Sequence, residues 1–563
     1  MTFSPPIADQ RFALQTCAQI ADLGVDSDLV DAILEGAGAF AAGEFAPLNR
    51  IGDTEGARYA NGIVTLPAGY REAYQAYVEG GWGSIDGPEA YGGQGLPFTL
   101  ASVVLEDLGT ANMAFTLCPM LSCGAVEALA AHGSEVQRAT YLPRLVSGAW
   151  TGTMNLTEPQ AGSDVGALRA TATPNADGSF SIKGTKIYIT FGEHDLADNI
   201  IHLVLARTPG APAGTKGISL FLVPKLREAS DGAFTVANDV RCVSIEHKLG
   251  INASPTCVMS YGDNDDCKGW LIGPEMGGMR AMFTMMNNAR LNVGSQGVQI
   301  AERATQAALA YAKDRVQGGK AIIEHPDVRR MLLRMKALTQ ATRALHYAAT
   351  SAVDRGHRGD ADAKARADLL TPLVKAYGTD IGCEVASLGI QIHGGMGFVE
   401  ETGAAQYYRD ARIAPIYEGT NGIQAADLVG RKLTGDGGAA LKRLIADARD
   451  DGAGETHLLA LADAVDVAAD WMLAAAPDDR LAGSYPFLDM VATMTAGALM
   501  ARQGKVARER LARGEGDPAF LKAKQVTVRY YLDHLVPEAL GKAAAATAGA
   551  ELLYELDADA LAA

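Results

Sequence analysis

The order of residue patterns along the chain constrains the fold more than any other feature of the sequence. Residues 1–150 carry Ala, Leu and Val at helical spacing, residues 151–273 contain short β-branched and aromatic runs, and the helical pattern returns from residue 274. A doubly wound sheet would alternate strands with helices throughout, so the pattern excludes that architecture. No predicted strand is followed by a G-x-G-x-x-G segment, which argues against a Rossmann-type dinucleotide site.

The same changes of pattern predict four domains, in line with a length of 563 residues at roughly 150 residues a domain. The glycine-rich segment 435–438 is interpreted as a linker. The predicted domains are an N-terminal helical domain over 1–150 with a helical extension over 1–50, a central β-domain over 151–273, a second helical domain over 274–435 and a C-terminal helical domain over 439–563.

Charge and cysteine content exclude several classes of protein. A net charge of −17 argues against a protein whose main task is to bind nucleic-acid phosphates. The seven cysteines contain no C-x-x-C pair, so neither a disulfide framework nor a zinc site is expected. The first residues lack the basic and apolar regions of a secretory signal, and no apolar run predicts a membrane span. We therefore expect a cytoplasmic protein with reduced thiols and no metal.

A polar loop opens the β region. Residues 154–168 read MNLTEPQAGSDVGAL and combine hydroxyls at Thr157 and Ser163 with a rigid turn at Pro159 and a permissive backbone at Gly162. Such a loop can bring backbone N–H groups and hydroxyls close to a flat polar heterocycle. The residues alone favour this interpretation and an ordinary surface loop about equally.

A second segment of the β region carries an aromatic ring beside a hydroxyl. Residues 186–198 read KIYITFGEHDLAD, and in a regular strand Tyr188 and Thr190 lie on the same face. A ring for stacking next to a hydrogen-bond donor suits one edge of a flavin. The same arrangement is common in plain strands, so it is weak on its own.

The third segment supplies a candidate base. Residues 391–433 contain closely spaced glycines and then place Glu418 between Tyr417 and Gly419, after an apolar Ala-Pro-Ile. A carboxylate in a partly desolvated cleft has a raised pKa and suits proton abstraction. On spacing alone, an exposed glutamate at a helix start is the more common arrangement.

Taken together and in this order, the three segments resemble the acyl-CoA dehydrogenase family of flavoproteins. The resemblance covers about residues 50–435, and GPEAYGGQGLP at 87–97 is a further matching signature. It implies the α+β multi-domain acyl-CoA dehydrogenase fold, in which a helical N-terminal domain, a central β-barrel-like domain and a helical-bundle third domain follow one another. The C-terminal helical domain resembles that of the longer members. Among them the residue pattern of this sequence is most similar to the branch that contains 3-methylmercaptopropionyl-CoA dehydrogenase. This resemblance implies a role in dimethylsulfoniopropionate catabolism.

The resemblance implies that FAD is bound where the β-domain meets the second helical domain. Met154 stands where many relatives have an aromatic residue, Gly318 where they have Phe and Gly422 where they have Gln, so those contacts differ here. The implied FAD contacts are Met154, Leu156, Thr157, Gly162 and Ser163 at the ring edge, Tyr188, Ile189 and Thr190 against the ring, Arg315, Gln317, Gln391 and Gly395 across a subunit boundary, and Thr420.

The implied reaction is the α,β-dehydrogenation of an acyl-CoA thioester to a trans-2-enoyl-CoA. Glu418 would take the α-proton while a hydride passes from the β-carbon to flavin N5, with the thioester carbonyl polarised by the N–H of the base and a ribityl hydroxyl. Some relatives carry the base as a Glu just before an Arg in the first long helix of the third domain. That position here reads Asn288-Ala289-Arg290, so no second glutamate competes.

Substrate contacts are implied less directly. Arg290 would orient substrate and base, although a helix salt bridge is an equal alternative, and Lys216 would meet a CoA phosphate unless it is merely solvated. The implied substrate-binding residues are Ser163, Lys216, Arg290, Tyr417 and Gly419. FAD contacts across subunits imply a homodimer, since isologous dimers are the commonest oligomers and the C-terminal domain would cover the tetramer surface of shorter relatives. Electron-transfer flavoprotein is the implied electron acceptor.

Two other functions remain open from the sequence. An acyl-CoA oxidase would use the same scaffold with oxygen as acceptor. A DNA-associated flavoprotein of the alkylation-response type also has an extra helical domain, but that domain should be basic. Residues 439–563 instead hold 13 Lys and Arg against 19 Asp and Glu. The acyl group is not readable from the residues, and 3-methylmercaptopropionyl-CoA and a short- or medium-chain fatty acyl-CoA are both consistent with the resemblance.

Overall fold

A computed structural model describes residues 3–562 of the chain, and these residues form two compact units. The sheet unit comprises Ala39–Ala289, and the helical unit comprises the chain through Gly38 together with the chain from Arg290 onward. The elements confirm the predicted α+β class, with helical segments before and after a central sheet.

The central sheet has eight strands, labelled here in chain order. They are β1 Trp150–Asn155, β2 Thr171–Pro174, β3 Phe180–Thr190, β4 Asn199–Ala206, β5 Ser219–Pro224, β6 Val240–Ile245, β7 Thr256–Tyr261 and β8 Lys268–Ile272. The strand order is β6-β7-β3-β8-β5-β4-β1, and β2 pairs with β3 off this path. Pairing is antiparallel except between β1 and β4.

One bridge closes part of this sheet into a ring. Thr171 in β2 pairs in parallel with Arg207, immediately after β4, and Ala172 N donates to Arg207 O at 2.8 Å. Since β2 also pairs with β3, strands β3, β8, β5, β4 and β2 form a closed circuit. Every residue of β4 is buried, which explains its mostly apolar run NIIHLVLA. The barrel-like character of the region follows from this closure.

Helices and two small hairpins complete the sheet unit. Its longer helices are Ala46–Glu55, Tyr70–Glu79, Phe98–His132 and Glu135–Val146, and its hairpins are Arg58–Ala60 with Ile63–Thr65 and Leu226–Glu228 with Phe234–Ala237. Helix Glu135–Val146 starts with a capping box, in which Ser134 and Gln137 each accept from the other's backbone N–H.

Helix Phe98–His132 is long and apolar enough to cross a membrane, but 83% of its most apolar window is buried inside the protein. Its uniform hydrophobicity is therefore that of a core helix. The helix is kinked at Asn112, whose side-chain Nδ2 donates to the hydroxyl of Tyr70 at 3.1 Å.

The helical unit is built from packed helices, several of them of 30 residues or more. They are Ile7–Ala13, Pro326–His357, Ala361–His393, Ala404–Ala411, Asn421–Asp427, Ala439–Asp451, Thr456–Ala474, Ser484–Arg513 and Pro518–Tyr530, together with most of Gly278–Asp314 and the first part of Ser27–Phe40. Shorter helical pieces are Gly395–Phe398, Leu433–Gly435, Pro477–Ala482, Val536–Leu540, Ala543–Ala546 and Ala558–Ala562, and a hairpin joins Val316–Gln317 to Lys320–Ala321.

Glycines bring two of these helices into backbone contact. A Cβ on Gly297 would lie 1.8 Å from the carbonyl oxygen of Gly378, and a Cβ on Gly378 would lie 2.6 Å from that of Gly294. Helices Gly278–Asp314 and Ala361–His393 can therefore approach this closely only because both lack side chains there. The site described next draws residues from both helices.

Candidate active site

Glu418 lies in the loop between helices Ala404–Ala411 and Asn421–Asp427. Its backbone is left-handed, with φ of +56°, and Gly419 follows with φ of +82°. A left-handed conformation is uncommon for a residue with a side chain and indicates that the surroundings hold it in place. The following helix begins at once, since the Thr420 hydroxyl caps it by accepting from Ile423 N at 3.2 Å.

The carboxylate of Glu418 has no hydrogen bond and no ion pair within the described part of the chain. The side chain is half-buried, and burial raises its pKa to about 7, against the opposing effects of Arg290 and Lys375. The backbone N–H of Glu418 likewise finds no acceptor among residues 3–562. A half-buried carboxyl group that titrates near neutrality and an available donor therefore belong to the same residue.

The carbonyl of Glu418 is held from two sides. Gln424 Nε2 donates to it at 3.1 Å, and Nε of the buried Arg290 donates to it at 3.3 Å. A Cβ on Gly419 would lie 2.8 Å from Nε2 of Gln424, so a larger residue at 419 would disturb this contact. Of the predicted substrate-binding residues, Arg290 contacts Glu418 through its Nε hydrogen bond, and Tyr417 and Gly419 adjoin it in the chain. The Tyr417 hydroxyl donates to Oε1 of Gln296.

Lys375 also belongs to this site, although no sequence motif indicated it. Its side chain is fully buried, and Nζ donates to the carbonyl of Gly419 at 2.7 Å and to Oδ1 of Asn421 at 2.8 Å. The available signal was a single lysine in an apolar stretch, TPLVKAYGTDIG. A buried lysine is rare unless it is paired, so such a residue is a candidate for a specific role.

The polar loop of the sheet unit is fixed by a buried ion pair. Lys186 Nζ lies 2.8 Å from Oε1 of Glu158 and donates to the carbonyl of Leu156 at 2.9 Å. The same carboxylate accepts from Arg169 N at 2.7 Å and from Ala170 N at 3.0 Å. Glu158 belongs to the TEP motif and Lys186 opens KIYIT, yet neither was assigned a role from sequence.

This arrangement leaves a group of hydroxyls available beside the loop. Ile187 N donates to Thr157 O at 2.9 Å and so joins the loop to β3. The hydroxyls of Thr157, Ser163, Tyr188 and Thr190 have no protein partner within residues 3–562. A ligand with polar ring atoms would satisfy such groups, and a Cβ at Gly162 would meet only open space, so the loop is accessible.

Strand β3 is irregular at the predicted aromatic position. The register with β7 shifts between Cys257 and Met259, and Tyr188 opposite this shift has φ of +59° and is 61% exposed. The ring therefore lies on the surface, where a flat ligand can stack on it. Ile189 instead has its side chain in the core of the sheet unit, so only its backbone is available.

The remaining predicted cofactor residues lie elsewhere in the two units. Met154 is partly buried and Leu156 buried at the end of β1, and exposed Lys216 lies in the short helical turn Thr215–Gly217. In the helical unit, the Tyr311 ring stacks on His393 with centroids 4.4 Å apart, which joins two helix ends. Four exposed candidates follow or flank these ends: Arg315, Gln317, Gln391 and Gly395.

Comparison with known protein families covers most of the chain. Models of the acyl-CoA dehydrogenase N-terminal, middle and C-terminal domains match residues 28–149, 153–263 and 276–433, and a model of an acetyl-CoA dehydrogenase C-terminal-like domain matches residues 443–557.

Individual relatives match over nearly the whole length. The chain is 48% identical to 3-methylmercaptopropionyl-CoA dehydrogenase of Ruegeria pomeroyi, over 96% of this chain and 97% of that protein. It is 36% identical to a butyryl-CoA dehydrogenase of Syntrophomonas wolfei, over 88% and 87% of the two chains. A solved acyl-CoA dehydrogenase from Bacillus anthracis, complexed with FAD, has the same fold, with a TM-score of 0.76 at 23% identity over 96% and 90% of the two chains.

Proposed function

The chain belongs to the acyl-CoA dehydrogenase family, whose reaction is the FAD-dependent dehydrogenation of an acyl-CoA thioester, and we propose that Glu418 is the base that removes the substrate's α-proton. The observation that carries this proposal is the unpaired, half-buried carboxylate of Glu418 with its pKa raised to about 7. Such a group is ionised often enough to accept a proton and basic enough to hold it.

The same residue is proposed to polarise the thioester carbonyl. The α-hydrogen of a thioester is a very weak acid, so its removal needs a donor at the carbonyl oxygen as charge develops there. The N–H of Glu418 has no acceptor within the described residues and is therefore free to serve. The left-handed backbone at Glu418 and Gly419, held by Gln424 and Arg290, fixes the direction of that N–H.

The unpartnered hydroxyls and exposed ring of the sheet unit fit the polar edge and face of a flavin. We assign FAD to Met154, Leu156, Thr157, Gly162 and Ser163, with Tyr188, Ile189 and Thr190 beside them. Bound FAD supplies the acceptor for the hydride that leaves the β-carbon. The Lys186–Glu158 pair keeps the loop in shape, and Thr420 and the exposed residues Arg315, Gln317, Gln391 and Gly395 are assigned to further FAD contacts.

The proposed substrate is 3-methylmercaptopropionyl-CoA, in the context of dimethylsulfoniopropionate catabolism. Support comes from the 48% identity, over almost the full length, to the enzyme of that name. The second candidate is a short straight-chain substrate such as butyryl-CoA, which the 36% identical relative favours. Ser163 and Lys216 are proposed to meet the CoA portion, because both are exposed and polar.

An acyl-CoA panel with an artificial electron acceptor tests the substrate assignment. We expect 3-methylmercaptopropionyl-CoA to give the highest kcat/KM and to bleach the flavin on anaerobic mixing. A higher kcat/KM for butyryl-CoA would replace the first candidate by the second. Absence of bleaching with every acyl-CoA would overturn the proposed reaction.

Replacement of the base tests the mechanism. Glu418→Gln keeps the size of the side chain but cannot accept a proton, so we expect turnover to fall below a few per cent while flavin remains bound. The control is Glu509→Gln, an exposed glutamate on helix Ser484–Arg513, which should retain full activity. Substantial activity in Glu418→Gln, measured with the same substrate and acceptor, would assign the proton abstraction to another group.

We also propose a cytoplasmic homodimer that passes electrons to electron-transfer flavoprotein. All seven cysteines are free thiols, which suits a reducing compartment. Phe398 is 87% exposed and follows the FAD candidates Gln391 and Gly395, so this apolar segment is a suitable place for a second subunit. Native mass spectrometry should give a dimer; a monomer with full flavin content would contradict it.

Stopped-flow mixing with air distinguishes the oxidase alternative, which requires rapid flavin reoxidation by oxygen.

A further inference from the structure

The ammonium group of Lys375 is buried without a carboxylate next to it. Its acceptors are the carbonyl of Gly419 and the amide oxygen of Asn421, and no ion pair within 4.0 Å is present among the described residues. Burying a charge costs free energy unless the charge is paired and hydrogen-bonded. If packing alone mattered, a neutral side chain would fill this position at a lower cost. Its position is informative, because Gly419 directly follows the proposed base.

A chain of hydrogen bonds leads from Lys375 to the C-terminal helical domain. The side-chain Nδ2 of Asn421 donates to Oδ1 of Asp380 at 2.9 Å. The hydroxyl of Tyr485 donates to Oδ2 of the same carboxylate at 2.6 Å. Tyr485 is the second residue of helix Ser484–Arg513, which lies beyond the segment matched by the acyl-CoA dehydrogenase C-terminal model.

Resting on the proposed role of Glu418, we propose that Lys375 is a positioning residue for the base. It holds the left-handed backbone by binding the Gly419 carbonyl, and it supplies a positive charge that favours the ionised form of Glu418. Asp380, held ionised by the Tyr485 hydroxyl, in turn favours the charged form of Lys375, so the C-terminal helical domain takes part in setting the acidity of the proposed catalytic carboxyl.

Electrostatics around the site agree with this arrangement. Burial lowers the pKa of Lys375 to about 7, while Glu418 and Asp380 oppose this effect and Arg290 adds to it. Burial raises the pKa of Asp380, and its hydrogen bonds from Tyr485 and Asn421 oppose that rise. Other charged groups act from neighbouring elements: Asp427 and Arg431 on Arg290, and Asp489 on Asp380.

The direction of the pKa change in each variant follows from these contacts. Removing the charge of Lys375 destabilises ionised Glu418 and raises its pKa. Removing the Tyr485 hydroxyl raises the pKa of Asp380, so that carboxylate is ionised less of the time. The charged form of Lys375 is then less favoured, and the pKa of Glu418 rises as well, by a smaller amount. A role limited to packing would change neither value.

The test measures the pKa of Glu418 directly in the FAD-loaded full-length protein. Infrared titration follows the carboxyl band that disappears in Glu418→Gln and needs no turnover. Lys375→Met should raise that pKa by about one unit, which corresponds to about 1.4 kcal/mol, the size of interaction expected between two charges in a partly buried site. If Glu418 is the base, kcat/KM at pH 6 falls about tenfold while the value at pH 9 changes less.

Tyr485→Phe keeps the proposal testable if Lys375→Met does not fold, because Tyr485 is 40% exposed and loses only its hydroxyl. It should shift the pKa in the same direction. The matched controls are Lys442→Met and Tyr530→Phe, which lie on the C-terminal domain away from this chain of contacts and should leave the pKa unchanged.

The positioning role of Lys375 and the proposed function fail separately. An unchanged Glu418 pKa in both Lys375→Met and Tyr485→Phe would overturn the positioning role, whatever the activity. A wild-type protein that oxidises no acyl-CoA would overturn the proposed function, while a shifted carboxyl pKa in the variants would still establish the coupling of Lys375 and Tyr485 to Glu418.

Discussion

At the scale of single residues, Glu418, the proposed base, shows how the surroundings change the acidity of an ordinary side chain. Burial raises its pKa to about 7 and its carboxylate stays unpaired within residues 3–562. Only the ionised form accepts a proton, so kcat/KM should fall about tenfold per pH unit below pH 7 and level off above it. A pH profile from 5 to 9 with the artificial acceptor checks this. A profile that is nearly flat from pH 5 to pH 9, as a base with the ordinary glutamate pKa of about 4.3 would give, would contradict it.

The buried Lys186–Glu158 pair makes a second prediction at this scale. Burial lowers the pKa of Lys186 to about 8 although Glu158 opposes it, and the pair holds the loop of the FAD candidates. Lys186→Met leaves a buried carboxylate without its cation, which should cost about 3–5 kcal/mol of unfolding free energy and weaken flavin retention. The control Lys183→Met removes only a surface pair with Asp265 and should cost less than about 1 kcal/mol.

Thermal unfolding and the flavin content of the purified variants measure both effects. Equal stability of the two lysine variants would show that the loop does not depend on the buried pair.

The sequence points to the proposed reactive residues more readily than to the residues that hold them. Glu418, Arg290 and Tyr417 are candidates from sequence because they stand within or beside short motifs. Lys375 and Lys186 could not be assigned roles, since their partners are Gly419, 44 positions away, and Glu158, 28 positions away. The left-handed backbone of Glu418 is also absent from any local pattern, because glutamate has no preference for it.

At the scale of elements, close helix contact carries the geometry of the site. Gly294 and Gly297 face Gly378 and Gly382 across two helices that also carry Arg290 and Lys375. The helical pattern predicts both helices. Their contact through glycines depends on tertiary packing, which the pattern does not contain. In strand β3 the sequence pattern fails at Tyr188. Period-two alternation treats this residue as part of a regular strand, whereas the register shift with β7 changes the direction of its side chain.

Gly297→Ala tests the helix contact. The new Cβ would lie 1.8 Å from the carbonyl oxygen of Gly378, so the helices must separate, and we expect the free energy of unfolding to fall by about 1–3 kcal/mol, with reduced activity. Gly430→Ala is the matched control, because its Cβ meets nothing within 4 Å, and alanine favours helix over glycine there. Denaturant unfolding of both variants gives the comparison, and an unperturbed Gly297→Ala would refute the close contact.

At the scale of the whole molecule, the N-terminal segment joins elements that are distant in sequence. Within the helical unit, Asp9 lies 2.5 Å from Nη1 of Arg343 and also binds Nζ of Lys524, and Arg343 reaches Glu302 at 2.8 Å. The Phe12 ring packs edge-on against Phe520. The first helix thus connects helix Pro326–His357 with helix Pro518–Tyr530, which no pattern within any single segment could predict.

Asp9→Asn tests whether this buried cluster stabilises the helical unit. Burial alone would raise the pKa of Asp9, but Lys524 and Arg343 together hold it below its usual range. The amide leaves two buried cations short of one negative charge, so the unfolding free energy at pH 7 should fall by about 3–5 kcal/mol. Because the folded-state pKa is lowered, the wild-type advantage is full above about pH 4 and shrinks as the pH falls through the folded-state value. Asp31→Asn, which breaks only the surface pair with Arg11, should cost less than about 1 kcal/mol. Thermal unfolding of both variants at pH 7 and pH 3 measures the difference. If Asp9→Asn and Asp31→Asn lost the same unfolding free energy at pH 7, the first helix would be held by apolar packing alone.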